Sequence, residues 1–269
     1  EREEGYGPMT IKQNTLRFWM NRLWDNDADA LMVRKRQQRF RDNKLSLGLL
    51  DDNEALTCAL NQYLGGGLVC FTENLPEVSN DRLLLLRHCS PSIGNAAYPL
   101  DLMEGKRFPS IFLTEVTPKT DALEAWYTIS LVNWLNTTQT FHLDIDFSTF
   151  PKCTSSNGKL LVSCFNNDYC RTVKNGQKIE IGPIPPHGCE VVKVQQYRED
   201  LHLLTKTDGH FSMGGTEIEG WEVTHEGVRV AVNWQWETPL TLSILMPSGN
   251  VCNHTIPANW TGETVIKKC

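Results

Sequence analysis

The sequence feature that most constrains the fold of this chain is a change in hydrophobic periodicity near residue 115. Before this point, apolar residues recur at the spacing of amphipathic helices, and short apolar runs separate the helical segments. After it, apolar and polar residues alternate, which is typical of half-buried strands. The 269-residue chain is therefore expected to contain an α/β part, residues 1–114, and an all-β part, residues 115–269.

The α/β part shows a helix, a short apolar run and a second helix in succession. An acidic cap at residues 51–52 begins the first helix, and the three glycines of residues 65–67 end it. Residues 68–71, Leu-Val-Cys-Phe, form the continuous apolar run typical of a strand that is covered on both faces in a parallel sheet. The second helix begins near Ser79 and stops before Pro91. This order predicts βα repeats.

The all-β part carries the alternating pattern on several segments. In residues 141–147 four apolar side chains share one face, while a histidine and two aspartates share the other. Residues 228–236 repeat the pattern, and Trp234 and Trp236 are expected to point into the core, with a sugar-stacking surface as the alternative. About eight to ten strands over this length are typical of an antiparallel β-sandwich, or of two small sheets.

Composition and charge exclude several classes of protein. The 26 basic and 32 acidic residues give a net charge of −6, which argues against a nucleic-acid partner. No apolar run approaches the roughly 20 residues that span a bilayer. The basic run at residues 34–41 contains a single aromatic residue and is interpreted as a solvated face or loop. We predict no nucleic-acid partner, no membrane span and no cofactor.

The cysteines indicate an oxidising compartment rather than a metal site. All nine stand singly, without a C-x-x-C pair, so zinc is not expected. An odd number leaves at least one cysteine unpaired or paired to another chain. Four of the cysteines crowd into one turn-rich stretch of the β part, where disulfides are expected: Cys153, Cys164, Cys170 and Cys189.

Three N-x-S/T sequons, at Asn136, Asn253 and Asn259, agree with glycosylation and secretion. The chain begins at Glu1 without an apolar signal region, which indicates a mature chain, a processed fragment or a trimmed piece. We expect a secreted or extracellular protein, or a lysosomal (vacuolar) one.

One polar segment resembles a known enzyme family. Residues 24–34 read W-D-N-D-A-D-A-L-M-V-R, which is similar to the W-x-N-D-P-D-x-L-x-x-R signature of melibiase-type α-galactosidases, in the same clan as raffinose synthase-like enzymes. Residues 65–67 and the Thr-Glu-Asn-Leu of residues 72–75 resemble the family's G-G-x-x-x-S-D-D-L turn. Three later segments resemble the antiparallel domain attached to such barrels: residues 132–134, 182–188 and 209–217.

The resemblance implies a fold and a binding site. Residues 1–114 would form the last βα units of a (β/α)8 TIM barrel, and residues 115–269 the antiparallel β-sandwich that follows it. Asp29 would bind galactose, since a carboxylate accepts strong hydrogen bonds from sugar hydroxyls. Asp27 would bond the backbone of the turn, and Trp24 would form an apolar wall unless it lies in the core. Ala28 in place of the family's proline predicts a less fixed turn.

The resemblance also implies that the catalytic residues lie elsewhere. A retaining glycosidase needs two carboxylates about 5 Å apart, and in the family both precede the aspartate segment. Residues 5–24 contain no acidic residue, and a complete barrel needs about 250 residues. We therefore expect an upstream segment of the same precursor, or a second chain, to supply the missing strands and both carboxylates of an α-galactoside hydrolase.

A second hypothesis comes from a different class of protein. The fold would be kept but catalysis lost, leaving a glycan-binding or structural subunit of an extracellular assembly. Ala28 in place of proline and residues 72–74 in place of S-D-D motivate this alternative.

Overall fold

A computed structural model describes residues 13–35, 49–153 and 158–267, which are mostly strands with few helices. The helices that lie wholly within the described residues are α1 Asp52–Gly65 and α2 Asn80–Leu83, with 3-10 helices at Phe18–Arg22, Leu75–Glu77, Leu84–His88 and Phe147–Thr149. The strands, in chain order from β1 to β16, are Asp27–Leu31, Leu68–Phe71, Tyr98–Pro99, Ile111–Val116, Trp126–Val132, Gln139–Ile145, Lys159–Cys164, Cys170–Lys174, Gln177–Ile184, Cys189–Gln196, Leu203–Thr207, Ile218–Val223, Gly227–Trp234, Leu240–Leu245, Val251–Ile256 and Trp260–Lys267.

The chain folds into two compact units. The first unit comprises the described residues up to Thr114 together with residues 130–141 and 181–190. The second unit comprises the described residues of 115–129, 142–180 and 191–269. Two segments from the β-rich part of the sequence therefore belong to the first unit.

Helix α1 of the first unit begins and ends where the sequence predicts. The Asp51 carboxylate accepts from the Glu54 backbone N–H at 2.9 Å, and the Glu54 carboxylate accepts from the Asp51 N–H at 2.9 Å. This capping box satisfies two amides that have no partner inside the helix. Gly66, at φ 67°, ends the helix in the left-handed conformation that glycine adopts without steric cost.

Strands β1 and β2 form a parallel pair, called the open pair below. Asp27 lies opposite Leu68 and Leu31 opposite Phe71, with a bulge between Asp27 and Ala30. The parallel pairing is confirmed, but the expectation that residues 68–71 are covered on both faces is wrong. Leu68 is 54% exposed and Phe71 39% exposed, because no further described strand extends this two-stranded sheet.

Two segments singled out in the sequence meet in the first unit. The side-chain amide of the buried Asn133 donates to the carbonyl oxygens of Ile184 and Pro185, at 3.0 and 2.9 Å. The Thr57 hydroxyl of α1 donates to the His187 carbonyl at 2.8 Å. Side chains from residues 132–134 and from α1 thus fix the turn of residues 182–188.

The second unit contains two antiparallel sheets that share one apolar core, together called the sandwich below. One three-stranded sheet has the order β11-β14-β15 and the other the order β12-β13-β16. Alternate side chains of both sheets enter one apolar core, as the period-2 pattern predicts, and Trp234 is buried there. Its buried members are Leu204, Ile218, Val228, Val230, Val232, Trp234, Leu240, Leu242, Ile244, Met246, Cys252, Ile256 and Ile266.

The remaining strands form a six-stranded sheet of order β3-β4-β5-β10-β7-β8 and a two-stranded sheet β6-β9. In β6, Phe141, Leu143 and Ile145 are buried, whereas Asp144 is exposed. The prediction that this acidic side chain lies on a solvated face is therefore confirmed.

The disulfides expected among Cys153, Cys164, Cys170 and Cys189 are absent, since none of the four is disulfide-bonded. Strands β7 and β8 show one reason. Cys170 lies opposite Ser163, and neighbouring residues of a strand point to opposite faces, so Cys164 and Cys170 face apart. Burial raises the pKa of the Cys153 and Cys189 thiols to about 12, which keeps them protonated. Among the described cysteines, Cys252 is disulfide-bonded.

None of the helices in the described part of the chain has the length and apolar character needed to cross a membrane.

Candidate functional site

The candidate site lies along β1 and just beyond the carboxyl ends of the open pair. Asp27 and Asp29 are exposed, and Ala28 between them is fully buried. Because parallel strands end at the same edge of a sheet, the residues after β1 and β2 come together there. Arg34 and Glu73 are the charged side chains that meet at this edge.

Asp29 has a strained backbone and an exposed carboxylate. Its φ of 63° lies in the left-handed region, which aspartate enters more readily than most residues. The Asp27 carboxylate accepts from the Asp29 N–H at 2.8 Å, the backbone bond predicted for Asp27, and Asp29 Oδ1 accepts from the Ala30 N–H at 2.7 Å. Strain of this kind, and bulges that redirect a side chain, are concentrated at functional sites.

Helix α1 holds the backbone beneath Asp29. The Gln62 side-chain amide donates to the Asp29 carbonyl at 2.8 Å, and the Asn14 amide donates to the Ala28 carbonyl at 3.2 Å. A Cβ placed on Gly65 would come within 2.7 Å of the Ala28 Cβ, so the end of α1 packs closely on β1. Side chains and close packing therefore fix the turn that was expected to be looser with Ala28 in place of proline.

A buried ion pair supports the same edge of the sheet. Arg34 Nε donates to Glu73 Oε2 at 3.0 Å, and the side chains are 6% and 1% exposed. Glu73 Oε1 also accepts from the Val33 N–H at 2.7 Å. The interpretation of Arg34 as part of a solvated run is wrong, and residues 36–41 of that run lie outside the described chain. Arg34 occupies the final arginine position of the W-x-N-D-P-D-x-L-x-x-R signature. That position was the one indication in the sequence of its structural role.

Trp24 precedes β1 and is 55% exposed. The alternative that it lies in the core behind the strand is wrong. Trp19 and Leu23 are also exposed. Together with Leu68 and Phe71 of β2, these side chains place apolar surface along the open pair and the segment leading into it, the kind of surface that marks an interaction site.

The exposed groups of this site can form hydrogen bonds and apolar contacts. An exposed carboxylate on a fixed backbone accepts hydrogen bonds from hydroxyl groups, and an exposed indole offers an apolar face. Within residues 13–35, 49–153 and 158–267, no group of three or more His, Cys, Asp or Glu side chains is placed to hold a metal ion.

The three sequon asparagines are all exposed, as N-glycosylation requires. The Asn136 side-chain oxygen lies 2.8 Å from His187 Nε2, and the Asn253 side-chain oxygen accepts from the Ser243 hydroxyl at 2.8 Å. Asn259 has a positive φ of 50° in the turn before β16.

Comparison with known proteins gives matches among solved structures. No protein-family model matches the chain, and no curated protein does. α-Galactosidase I from Mortierella vinacea matches with a TM-score of 0.40 and 12% identity, over 55% of this chain and 37% of that one. A GH27 β-L-arabinopyranosidase from Geobacillus stearothermophilus, in complex with arabinose, matches with a TM-score of 0.43 and 12% identity, over 71% of this chain and 43% of that one. Both matches are glycosidases. This chain spans less than half of either glycosidase.

Proposed function

We propose that this chain is the sugar-binding C-terminal portion of a retaining α-galactosidase-like glycoside hydrolase, in which an upstream segment or a second chain supplies both catalytic carboxylates. The observation that carries the proposal is the geometry of Asp29. Its carboxylate is exposed on a strained bulge of β1, and Gln62 and Asp27 hold its backbone from either side. The segment that contains it has the W-x-N-D-x-D-x-L-x-x-R pattern.

The proposal gives each candidate residue a separate task. Asp29 accepts hydrogen bonds from the hydroxyls of an α-galactoside, and Trp24 packs against the apolar face of the ring. Asp27 keeps the bulge in shape through its bond to the Asp29 N–H. The Arg34–Glu73 pair holds the loop after β1 in place without touching the sugar.

The exposed apolar side chains of the open pair support the proposal that further barrel strands pair with it and cover it. In the proposed enzyme, parallel strands from the upstream segment or second chain pair with the open edges and cover Leu68 and Phe71, and residues 1–114 are the last βα units of that barrel. Burying apolar surface at about 25 cal/mol per Å² would stabilise such an assembly.

Sugar binding by the chain itself tests the role of Asp29. Methyl α-D-galactopyranoside binding is measured by calorimetry for the wild type, Asp29→Asn and the matched control Asp25→Asn. Asp25 is an exposed neighbour, so both variants remove one negative charge. Loss of a charge-assisted hydrogen bond weakens binding by about tenfold or more for Asp29→Asn, and Asp25→Asn binds as the wild type does. Equal affinities for all three proteins would contradict the proposal.

Hydrolysis tests the catalytic part of the proposal. The 269-residue chain alone is expected not to hydrolyse an aryl α-galactoside, whereas the full natural gene product that contains it is expected to do so with retention of configuration. Asp29→Asn in that gene product lowers kcat/KM by about tenfold or more. A gene product that binds galactosides without hydrolysing them would overturn the enzyme assignment.

That outcome would instead support a glycan-binding or structural subunit. One observation favours this alternative. Glu73 lies in the segment that replaces the family's S-D-D, and its carboxylate forms an ion pair with Arg34 and accepts from the Val33 N–H. Glu73 is therefore engaged in supporting the loop and is not presented to a ligand.

We further propose that the protein is secreted, or lysosomal (vacuolar), with N-glycans on Asn136, Asn253 and Asn259. The exposure of all three asparagines supports this proposal. Intact mass of the natural protein before and after enzymatic deglycosylation measures the number of occupied sites. An unchanged mass would contradict glycosylation.

A further inference from the structure

A cavity of about 300 Å³ lies in the second unit, and residues of four strands line it. Trp126 comes from β5, Lys193 from β10, Leu204 from β11 and Trp221 from β12. None of these residues belongs to the Asp29 site of the first unit. The volume is at the lower end of the range of small-ligand pockets, which are mostly apolar with a few placed polar groups.

The floor of the cavity is held rigidly. Lys193 is fully buried, with its Nζ 3.7 Å from the centroid of the Trp126 ring, and it donates to the Leu204 carbonyl at 2.9 Å. The Trp126 indole N–H donates to the Ser212 carbonyl at 2.9 Å. A floor fixed by a cation–π contact and two hydrogen bonds loses little conformational freedom when a ligand binds.

The upper wall carries polar groups and an aromatic face. The Gln195 amide donates to the Leu204 carbonyl at 2.8 Å. Arg198 forms an ion pair with Glu124 and lies 3.5 Å from the Gln196 side-chain oxygen. Trp221 is half-buried, with part of its ring packed against the core of the sandwich and the rest available to the cavity.

The charges of the lining nearly cancel. Arg198 and Glu124 neutralise each other across the rim. Burial lowers the pKa of Lys193 to about 7, so this side chain carries only part of a positive charge at neutral pH. His202 also lines the cavity. Such a lining does not concentrate anions or cations, and it favours a neutral ligand that has several hydroxyl groups and an apolar face.

We propose that this cavity is a second carbohydrate site, which binds one neutral pyranose residue stacked on Trp221 with its hydroxyls hydrogen-bonded to Arg198, Glu124 and Gln196. Guanidinium, carboxylate and amide groups together donate to and accept from hydroxyls in fixed directions. The indole covers the C–H face of the ring. The site is independent of Asp29 and does not require the proposed galactosidase function.

The test measures methyl α-D-galactopyranoside and methyl α-D-glucopyranoside binding to the 269-residue chain by saturation-transfer NMR and calorimetry. Trp221→Ala weakens the second-site binding by about tenfold, the loss expected of one aromatic stacking contact. Trp260→Ala is the matched control, because Trp260 is another half-buried tryptophan on the same core but does not line the cavity. The Trp260→Ala variant is expected to bind both sugars as the wild type does.

Arg198→Ala gives a second variant that leaves the core intact, since Arg198 is exposed. It weakens the same binding about fivefold through loss of a hydrogen bond, while Asp29→Asn leaves this site unchanged. No sugar binding at this site, binding that survives both Trp221→Ala and Arg198→Ala, or binding of inorganic phosphate in preference to sugar would each overturn the proposal.

Discussion

The open pair and the sandwich are built from similar apolar strands but are covered very differently. Leu68 in β2 is 54% exposed, whereas Leu242 in β14 is fully buried. The sandwich brings two sheets face to face, so each apolar side chain finds a partner. The open pair has a helix against β1 but no second sheet over β2 among the described residues. The comparison teaches that the covering element, rather than the strand's own composition, decides whether an apolar strand is buried.

The interactions that hold the two regions differ as well. The sandwich is stabilised mainly by its continuous apolar core. The open pair depends on polar contacts: the Arg34–Glu73 pair, the Gln62 amide and the bond between Asp27 and the Asp29 N–H. Substitutions of the same chemical type should therefore have unequal effects in the two regions.

The largest expected difference comes from Leu242→Asn and Leu68→Asn. An amide at the buried position creates a cavity and an unsatisfied polar group and costs about 4 kcal/mol or more of unfolding free energy. At the exposed position the same change costs about 1 kcal/mol or less. Urea unfolding followed by circular dichroism measures both, and equal losses would show that β2 is covered in solution.

A smaller effect is expected from breaking the ion pair of the open pair. Glu73→Gln leaves the Arg34 guanidinium buried without a carboxylate and costs about 3 kcal/mol. The matched control is Asp81→Asn, which breaks the exposed Lys35–Asp81 pair and leaves the unfolding midpoint unchanged. An unfolding midpoint that falls equally in both variants would refute a special role for the buried pair.

The buried cation of the second unit predicts a pH dependence. Burial lowers the pKa of Lys193 from 10.5 to about 7, against the opposing effects of Glu217, Cys153 and Cys170. Between pH 7 and 10 the unfolded lysine holds a proton that the folded one releases, so stability contributed by this group rises with pH. The free energy of unfolding of the wild type should rise by a few kcal/mol at most over this range, relative to that of Lys193→Met. Urea unfolding of the two proteins at several pH values measures this difference. Parallel pH profiles of the two proteins would contradict it.

The smallest effect concerns the strain at Asp29. Asp29→Gly removes the cost of a side chain at φ 63° but makes the unfolded chain more flexible, so stability changes by about 1 kcal/mol or less. Galactoside binding at the Asp29 site is lost all the same, because the carboxylate is gone, while any binding at the Trp221 cavity is unaffected. Thermal unfolding and calorimetric titration separate the two effects. Galactoside binding equal to that of the wild type in a variant that also carries Trp221→Ala would remove Asp29 from the proposed site.

Local elements were predictable because their signals lie close together in the sequence. The capping box at residues 51–54, the glycine end of α1 and the alternation in β6 and β13 each depend on a few neighbouring residues. The continuous apolar run of residues 68–71 indicated a strand of a parallel sheet, and β2 pairs in parallel with β1.

Features that depend on distant residues were not predictable. The prediction of disulfides was wrong in part because the register of β7 and β8 turns Cys164 and Cys170 to opposite faces. The burial of Arg34 depends on Glu73, which is 39 residues away. The cavity beneath Trp221 required four strands to come together, and no sequence spacing indicated it.

The sequence by itself determined the two ends of α1, the alternation of β6 and β13, and the polar segment that contains Asp29, since all of these depend on local propensity and periodicity. The helix predicted between Ser79 and Pro91 is instead the short α2 followed by the 3-10 helix Leu84–His88. Only the tertiary structure decided which apolar strands are covered, which cysteines form no disulfide and which charges are buried, since each depends on neighbours brought together from distant parts of the chain. For this reason Asp29 could be selected from its motif, whereas the strained bulge and the amide support that fix its carboxylate had to be seen in the structure.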